Sequence, residues 1–332
     1  MLHRFVSLFP TAALSALVAL TMGCGAYDDG AQGESPGERQ DALLGAPVDP
    51  GHKFAVGICA GGLKADGTCA SLRCSGSLIA PNLVLTARHC LDQIAYSDVA
   101  WCASTFTEPL SSEPTLVTTS DSVRIGTPKW YDVETKLVPG DNGLCSGDIA
   151  LLVLSAPVPA EEAPTVRVDT VHDFAKHPPV EVAVVGRGAI AQSLDLTTGA
   201  TTVDNGSGLR RIAEHIPFVC ATNSASAPCN VVDYSSPPTN MFASPPDYYV
   251  IGSSLASGDS GSGVMDQKHF DNDHARRVIG VSAAGTWGAD GLPNYGLVSR
   301  LDTHRTFLRD GLKVAAQAAG LAGSAFDYAD GD

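Results

Sequence analysis

The chain is 332 residues long, 44% apolar, with 36 acidic against 21 basic side chains and a formal net charge of −15. That length holds one large domain or two small ones, and the apolar fraction is ordinary for a folded protein. The acidic balance excludes a nucleic-acid partner, because phosphate binding needs clustered Lys and Arg.

The amino terminus reads as a targeting segment. His3 and Arg4 precede an apolar run from Phe5 to Met22, broken by Pro10 and ending in Gly23-Cys24-Gly25-Ala26. A charged start, an apolar middle and a small-residue exit make residues 1–26 a secretory signal. The run is short and proline-broken for a membrane span. Cys24 follows Leu20-Thr21-Met22-Gly23, which resembles a bacterial lipoprotein signal with Thr21 where leucine is usual. Lipid attachment at Cys24 and plain cleavage after Ala26 both stay open. Residues 27–42 are polar, with no aromatic after Tyr27. They cannot bury a core and read as a linker or pro-segment.

Short apolar stretches follow, many of them β-branched, at residues 54–59, 74–79, 83–87, 123–125, 149–154, 180–185, 248–251, 278–283 and 295–298. Gly, Pro, Asn and Asp lie in the gaps. That rhythm predicts an all-β sandwich or barrel. His269-Phe270-Asp271-Asn272-Asp273-His274 is a polar insertion. No acidic residue closes it as in dedicated calcium loops, so it reads as a solvated loop. Residues 302–320 have helix-forming composition, with Phe307, Leu308, Leu312, Ala315 and Ala316 on one face. Residues 320–332 read as a disordered tail.

Nine cysteines occur. Setting aside Cys24 leaves an even set of eight, which in an exported chain reads as four disulfides. Eight cysteines permit roughly a hundred pairings. No Cys-x-x-Cys pair occurs, so a zinc site is a poor reading.

Three stretches carry chemistry. In Gly258-Asp259-Ser260-Gly261-Ser262-Gly263 a serine sits between glycines. Its hydroxyl is a poor nucleophile until a base takes the proton. The glycines allow a sharp bend and a close approach. Successive N–H groups of such a turn can stabilise an oxyanion. Alone, the motif looks like any Gly/Ser turn. Upstream, Leu83–Cys90 contains His89, whose ordinary pKa near 6.5 suits proton exchange at neutral pH. Between them Asp148 opens the apolar run Ile149–Leu154. A carboxylate at a buried strand end needs a partner, and the His89 Nδ1–H is the natural one. The order His, Asp, Ser is the chain order of one of three convergent triads.

With these stretches in place the chain resembles the trypsin/chymotrypsin-like serine proteases. Thr86-Ala87-Arg88-His89-Cys90 resembles that family's TAAHC. Asp148-Ile149-Ala150-Leu151-Leu152 matches its DIALL, and GDSGSG from Gly258 resembles GDSGGP. The resemblance covers residues 43–319. It implies two packed six-stranded antiparallel β-barrels with a C-terminal helix and a site in the cleft between them. Val184-Val185-Gly186-Arg187-Gly188 resembles the V-x-G-W-G opening of the second barrel, with Arg187 in place of tryptophan.

The resemblance also implies roles. His89 is the base and acid, Asp148 its orienter and Ser260 the nucleophile. The N–H groups of Gly258 and Ser260 form the oxyanion hole. Ser282 matches a serine that hydrogen-bonds the Asp148 carboxylate. Cys74–Cys90 clamps the histidine loop, and Cys220–Cys229 is a further pair. Cys59–Cys69 and Cys102–Cys145 then remain by elimination. The pocket floor is Ser254, with no acid to pair with Lys or Arg. The wall Ser282-Ala283-Ala284 stands where the family has Ser-Trp-Gly, and the Ala284 methyl narrows the entrance. Cleavage after small or medium apolar residues is expected. Leu43-Leu44-Gly45-Ala46 resembles the family's mature terminus, Ile-Val-Gly-Gly. It implies a zymogen cut by an activating protease between Ala42 and Leu43, whose new ammonium pairs with Asp259.

The chain departs from the pattern around the catalytic motifs as well. Arg88 replaces alanine, Ser262-Gly263 replaces Gly-Pro, and Ala256 stands where a pocket cysteine is usual. None removes a catalytic group. The expected partners are a protein or peptide substrate and an activating protease, with no cofactor and no metal. The expected location is secreted or cell-envelope. A catalytically silent homologue acting as a binding protein is the runner-up, and the retained triad argues against it. An esterase using the same triad is a third reading. Hydrolysis of a casein-type substrate separates the three.

Overall fold

The structure, a computed structural model, describes residues 43–320 apart from 71, 98–99, 175, 205, 207, 222–228, 236–239, 244, 253–254 and 274. The signal-like segment with Cys24, residues 27–42, the tail 321–332, Ser254 and His274 lie outside the described residues.

The apolar runs become barrel strands. The first barrel contains β1 (Ala55–Cys59), β2 (Leu72–Ala80), β3 (Leu83–Thr86), β4 (Leu116–Thr118), β5 (Tyr131–Leu137) and β6 (Ala150–Leu154). They close in the order β1-β2-β3-β6-β5-β4. Every residue of β1, β3 and β6 is buried, which is why these three read as continuous apolar runs. A barrel strand needs apolar residues on both faces only where its outer face is also covered. For β6 the cover is the C-terminal helix Arg305–Ala318. Its buried residues Leu308, Gly311, Leu312, Ala315 and Ala316 follow the stripe of an amphipathic helix. A Cβ on Gly311 would lie 2.1 Å from Leu151 Cδ1, so glycine sets how closely helix and strand approach.

The second barrel contains β7 (Glu181–Gly186), β8 (Arg211–Ala221), β9 (Tyr248–Ile251), β10 (Gly263–Asp266), β11 (Arg277–Trp287) and β12 (Pro293–Arg300). Their order is β10-β7-β8-β9-β12-β11, and pairing of β10 with β11 closes the ring. Val182, Val184, Val264, Ile279 and Val298 pack inside it. The expected two six-stranded barrels and C-terminal helix are therefore present.

Residues 123–125, expected as a strand, form bends instead. Val123 is apolar because it packs with the Cys59–Cys69 disulfide in a small satellite cluster. Conversely, β5 and β8 were not expected as strands. β5 is mostly polar and exposed, β8 is interrupted by Glu214, His215 and Pro217, and ladder hydrogen bonds to neighbouring strands hold both.

Two fully buried arginines stitch the barrels together. Arg187, just after β7, donates to the Asp121 carbonyl (2.9 Å) and the Ser120 carbonyl (2.6 Å) beyond β4. Arg210 donates to the Asp121 carboxylate (2.9 Å) and to the Asp49 carbonyl (3.1 Å). Burial, and then the neighbouring charge of Arg210, push the Arg187 pKa down to about 9. No helix among the described residues is long and apolar enough to cross a membrane.

Candidate active site

Strand pairing brings His89 and Asp148 together. β3 and β6 are antiparallel neighbours, with Thr86 opposite Ala150. The residues after Thr86 and those before Ala150 therefore leave the barrel at one end. His89 sits in the 3₁₀ turn Arg88–Cys90, and Asp148 follows the helical turn Leu144–Gly147. The Asp148 carboxylate accepts the His89 backbone N–H at 2.9 Å. It also meets ring Nδ1 at 2.9 and 3.1 Å. Asp148 is 2% exposed, while the His89 side chain is 20% exposed. Burial works against a charged His89 ring, but the charge and hydrogen bonds of Asp148 outweigh it and raise the pKa above its ordinary value.

Arg88 explains itself only in three dimensions. Its Nε donates to Asp92 (2.9 Å), Nη1 to the Asp141 carbonyl (2.9 Å) and Nη2 to Asn142 Oδ1 (2.9 Å). The guanidinium also lies 4.6 Å from the Phe106 ring centre. It thus ties the histidine turn to the loop that leads into Asp148.

Ser260 lies in the turn before β10. Gly258 (φ 98°) and Gly261 (φ 85°) hold backbone conformations that side chains rarely adopt. A Cβ on Gly261 would lie 2.2 Å from both the Ser75 carbonyl and Thr86 Oγ1. The turn is therefore pressed against the segment leading to His89. No hydrogen bond joins Ser260 Oγ to the His89 ring; such bonds often tighten only when substrate arrives. Asp259 N–H donates to the Ala256 carbonyl, while no acceptor among the described residues takes the N–H of Gly258 or Ser260. Two free donors thus flank the serine.

A pocket of about 160 Å³ opens beside Ser260. Ala284 and Ser282 line it, as expected, and so do Ala256, Thr286, Trp287 and Gln192. Among the described residues none that lines it is charged. Gln192, on the hairpin Ala191–Leu194 with Thr201–Asp204, accepts the Ser257 N–H at 2.7 Å. Nothing in the sequence marked Gln192 or Trp287, because distant loops bring them to the pocket. One expectation is corrected: the buried Ser282 hydroxyl has no hydrogen-bond partner and does not reach the Asp148 carboxylate. Its main chain is used instead, accepting from Gly261 N–H and donating to the Ser262 carbonyl.

Asp259 is fully buried and accepts the N–H groups of Gly188 (2.7 Å) and Ala256 (3.1 Å). Burial pushes its pKa up to about 7, with these bonds and the charge of Arg211 offsetting only part. Leu43, 1% exposed, places Cδ1 3.2 Å from where a Gly186 Cβ would be, on the Asp259 side of the second barrel.

All eight cysteines of the described residues pair as Cys59–Cys69, Cys74–Cys90, Cys102–Cys145 and Cys220–Cys229. Cys74–Cys90 anchors the histidine turn to β2. Among the described residues, Cys74, His89 and Cys90 group as metal ligands would, but the two sulfurs are bonded to each other.

The trypsin family model matches residues 52–307 of this chain. The chain belongs to the trypsin family. The protein is accordingly a serine endopeptidase, a hydrolase acting on protein or peptide substrates. No curated protein matches it. Within the trypsin-like fold the His89–Asp148 pair stands at the end of the first barrel, and Ser260 lies in the turn that opens the β10 strand of the second.

Proposed function

We propose that this trypsin-family endopeptidase works through Ser260, His89 and Asp148. The observation that carries the reading is the Asp148 carboxylate bonded to both the main chain and ring of His89. Asp148 holds the ring so that Nε2 is the free base. His89 takes the Ser260 proton as Oγ attacks the scissile carbonyl. The N–H groups of Gly258 and Ser260 receive the oxyanion. His89 then protonates the leaving amine, and water releases the acyl group by the reverse roles. A fluorophosphonate probe should label Ser260, and Ser260→Ala should abolish both labelling and hydrolysis. Labelling that persists in Ser260→Ala would sink the assignment.

Specificity follows from the pocket. Its volume, the Ala284 methyl and the lack of a charged lining favour small or medium apolar side chains. A peptide-library profile dominated by Lys or Arg would contradict this.

Activation is read from Asp259. A buried carboxylate with only two N–H partners calls for a cation. A cut between Ala42 and Leu43 would create an ammonium on a residue whose side chain is already seated. In the uncut chain Leu43 has φ 58°, a costly conformation for leucine that chain scission relieves. Four disulfides fit export. Residues 1–26 would direct it, with Cys24 as a lipid anchor released by the same cut. Amino-terminal sequencing of active enzyme should read from Leu43, and an active species beginning upstream would overturn the mechanism.

A further inference from the structure

Ser75 is fully buried on β2, in the barrel opposite the nucleophile turn. Each of its polar groups is engaged. Its hydroxyl donates to the Gly258 carbonyl at 2.9 Å and accepts the Arg187 N–H at 2.9 Å. Its N–H donates to the Ser260 carbonyl at 2.8 Å. Its carbonyl accepts from Thr86 Oγ1 at 2.9 Å.

Two of these bonds go to Gly258 and Ser260, the residues whose N–H groups point at the reacting carbonyl in the reading above. Gly258 has no side chain to restrain it and sits at φ 98°. Among the described residues the Ser75 hydroxyl is the one donor to its carbonyl. The peptide joining Gly258 to Asp259 is therefore held from the other barrel, and through the Gly258 Cα it limits where the Gly258 N–H can point. Ser75 also follows Cys74, which is bonded to Cys90 next to His89. One residue thus sets the turn relative to the base. Donors stabilise a developing charge only if they are oriented before it forms.

We propose that Ser75 is a positioning residue for the oxyanion site, holding the Gly258 and Ser260 turn in register with His89 through its hydroxyl. The proposal rests on the triad reading. Its physical content is selective: the Ser75 hydroxyl serves the tetrahedral state and not ground-state binding.

The test compares processed native enzyme with Ser75→Ala and Ser75→Thr. Two probes are used, a capped tripeptide ending in alaninal and the matching alcohol. The aldehyde adds Ser260 Oγ–H across its C=O to give a hemiacetal whose oxygen needs the oxyanion donors. The alcohol binds without addition. Ser75→Ala should weaken the aldehyde about 10-fold or more and lower kcat by a similar factor, a fraction of the cost of deleting an oxyanion donor outright. KM and alcohol affinity should stay unchanged, and Ser75→Thr, which keeps the hydroxyl, should recover aldehyde binding. Equal weakening of aldehyde and alcohol, or no change in either, would overturn the proposal. If Ser75→Ala does not fold, Ser75→Gly takes its place with the same readings. A fluorophosphonate adduct on a serine other than Ser260 in native enzyme would instead remove the underlying triad reading, so the two failures are distinguishable.

Discussion

Asp148 holds His89 at two places, the backbone N–H at 2.9 Å and ring Nδ1 at 2.9 Å. The first bond fixes where the residue sits and the second fixes how the ring turns. Burial lowers the ring pKa, but the charge of Asp148 and its bond to the ring outweigh that and raise it. Only the neutral ring acts as a base, so kcat/KM should rise with pH through a midpoint above about 6.5. Stability runs the other way: the tighter proton binding of folded His89 supports the fold below about pH 6.5 and is lost above the folded midpoint. Asp148→Asn should lower kcat by roughly 10³–10⁴-fold and move the midpoint down. A pH–rate profile with an unmoved acid limb would contradict the assignment.

Asp259 gives a pH dependence of the uncut chain. Its folded pKa of about 7 stands above the ordinary carboxylate value because of burial. The folded state then binds the extra proton, so stability present at about pH 4 is lost as pH rises toward 7. In a Ser260→Ala background, which prevents self-cleavage, Asp259→Asn should recover roughly 1–3 kcal/mol of the loss between pH 5 and pH 8. Denaturant midpoints at the two pH values are the measurement, and identical drops in both chains would refute the expectation.

Arg88 should matter to stability as well as to placement. Arg88→Ala removes three hydrogen bonds to Asp92, Asp141 and Asn142. Lys136 still pairs with Asp92, so that carboxylate keeps one cation. A loss of about 2–4 kcal/mol is expected, just under the usual cost of breaking a buried pair. Urea unfolding checks it; a change under ~0.5 kcal/mol would mean that the loop before Asp148 holds without the guanidinium.

Gly311 tests the seat of the C-terminal helix. In an exposed helix Gly→Ala is favourable by about 1 kcal/mol. Here the new methyl would meet Leu151 of β6. Gly311→Ala should therefore destabilise by about 1–3 kcal/mol, the cost of overpacking. A raised melting temperature would show that helix and strand can separate without penalty.

The sequence by itself determined the family, the motifs that carry the proposed triad and most of the barrel strands. His89, Asp148 and Ser260 were legible because each stands in a short motif whose residues serve local needs: a disulfide-linked turn, a buried strand end and a glycine bend. β1, β3 and β6 were legible because full burial demands unbroken apolar runs. The helix was legible because its buried stripe keeps a helical period. What depends on contact between distant segments was not. β5, mostly polar, and β8, interrupted by Glu214, His215 and Pro217, are strands because neighbours offer them a ladder. Arg88 and Arg187 stood out as departures, but their meaning lies largely in main-chain carbonyls and an amide oxygen more than 50 positions away. Ser75, Gln192 and Trp287 carried no signal at all, since a buried serine or a pocket-lining side chain follows no local pattern. The unpartnered Ser282 hydroxyl shows the same limit from the other side. Sequence names the groups that can pair, and only the packing of the two barrels decides which of them meet.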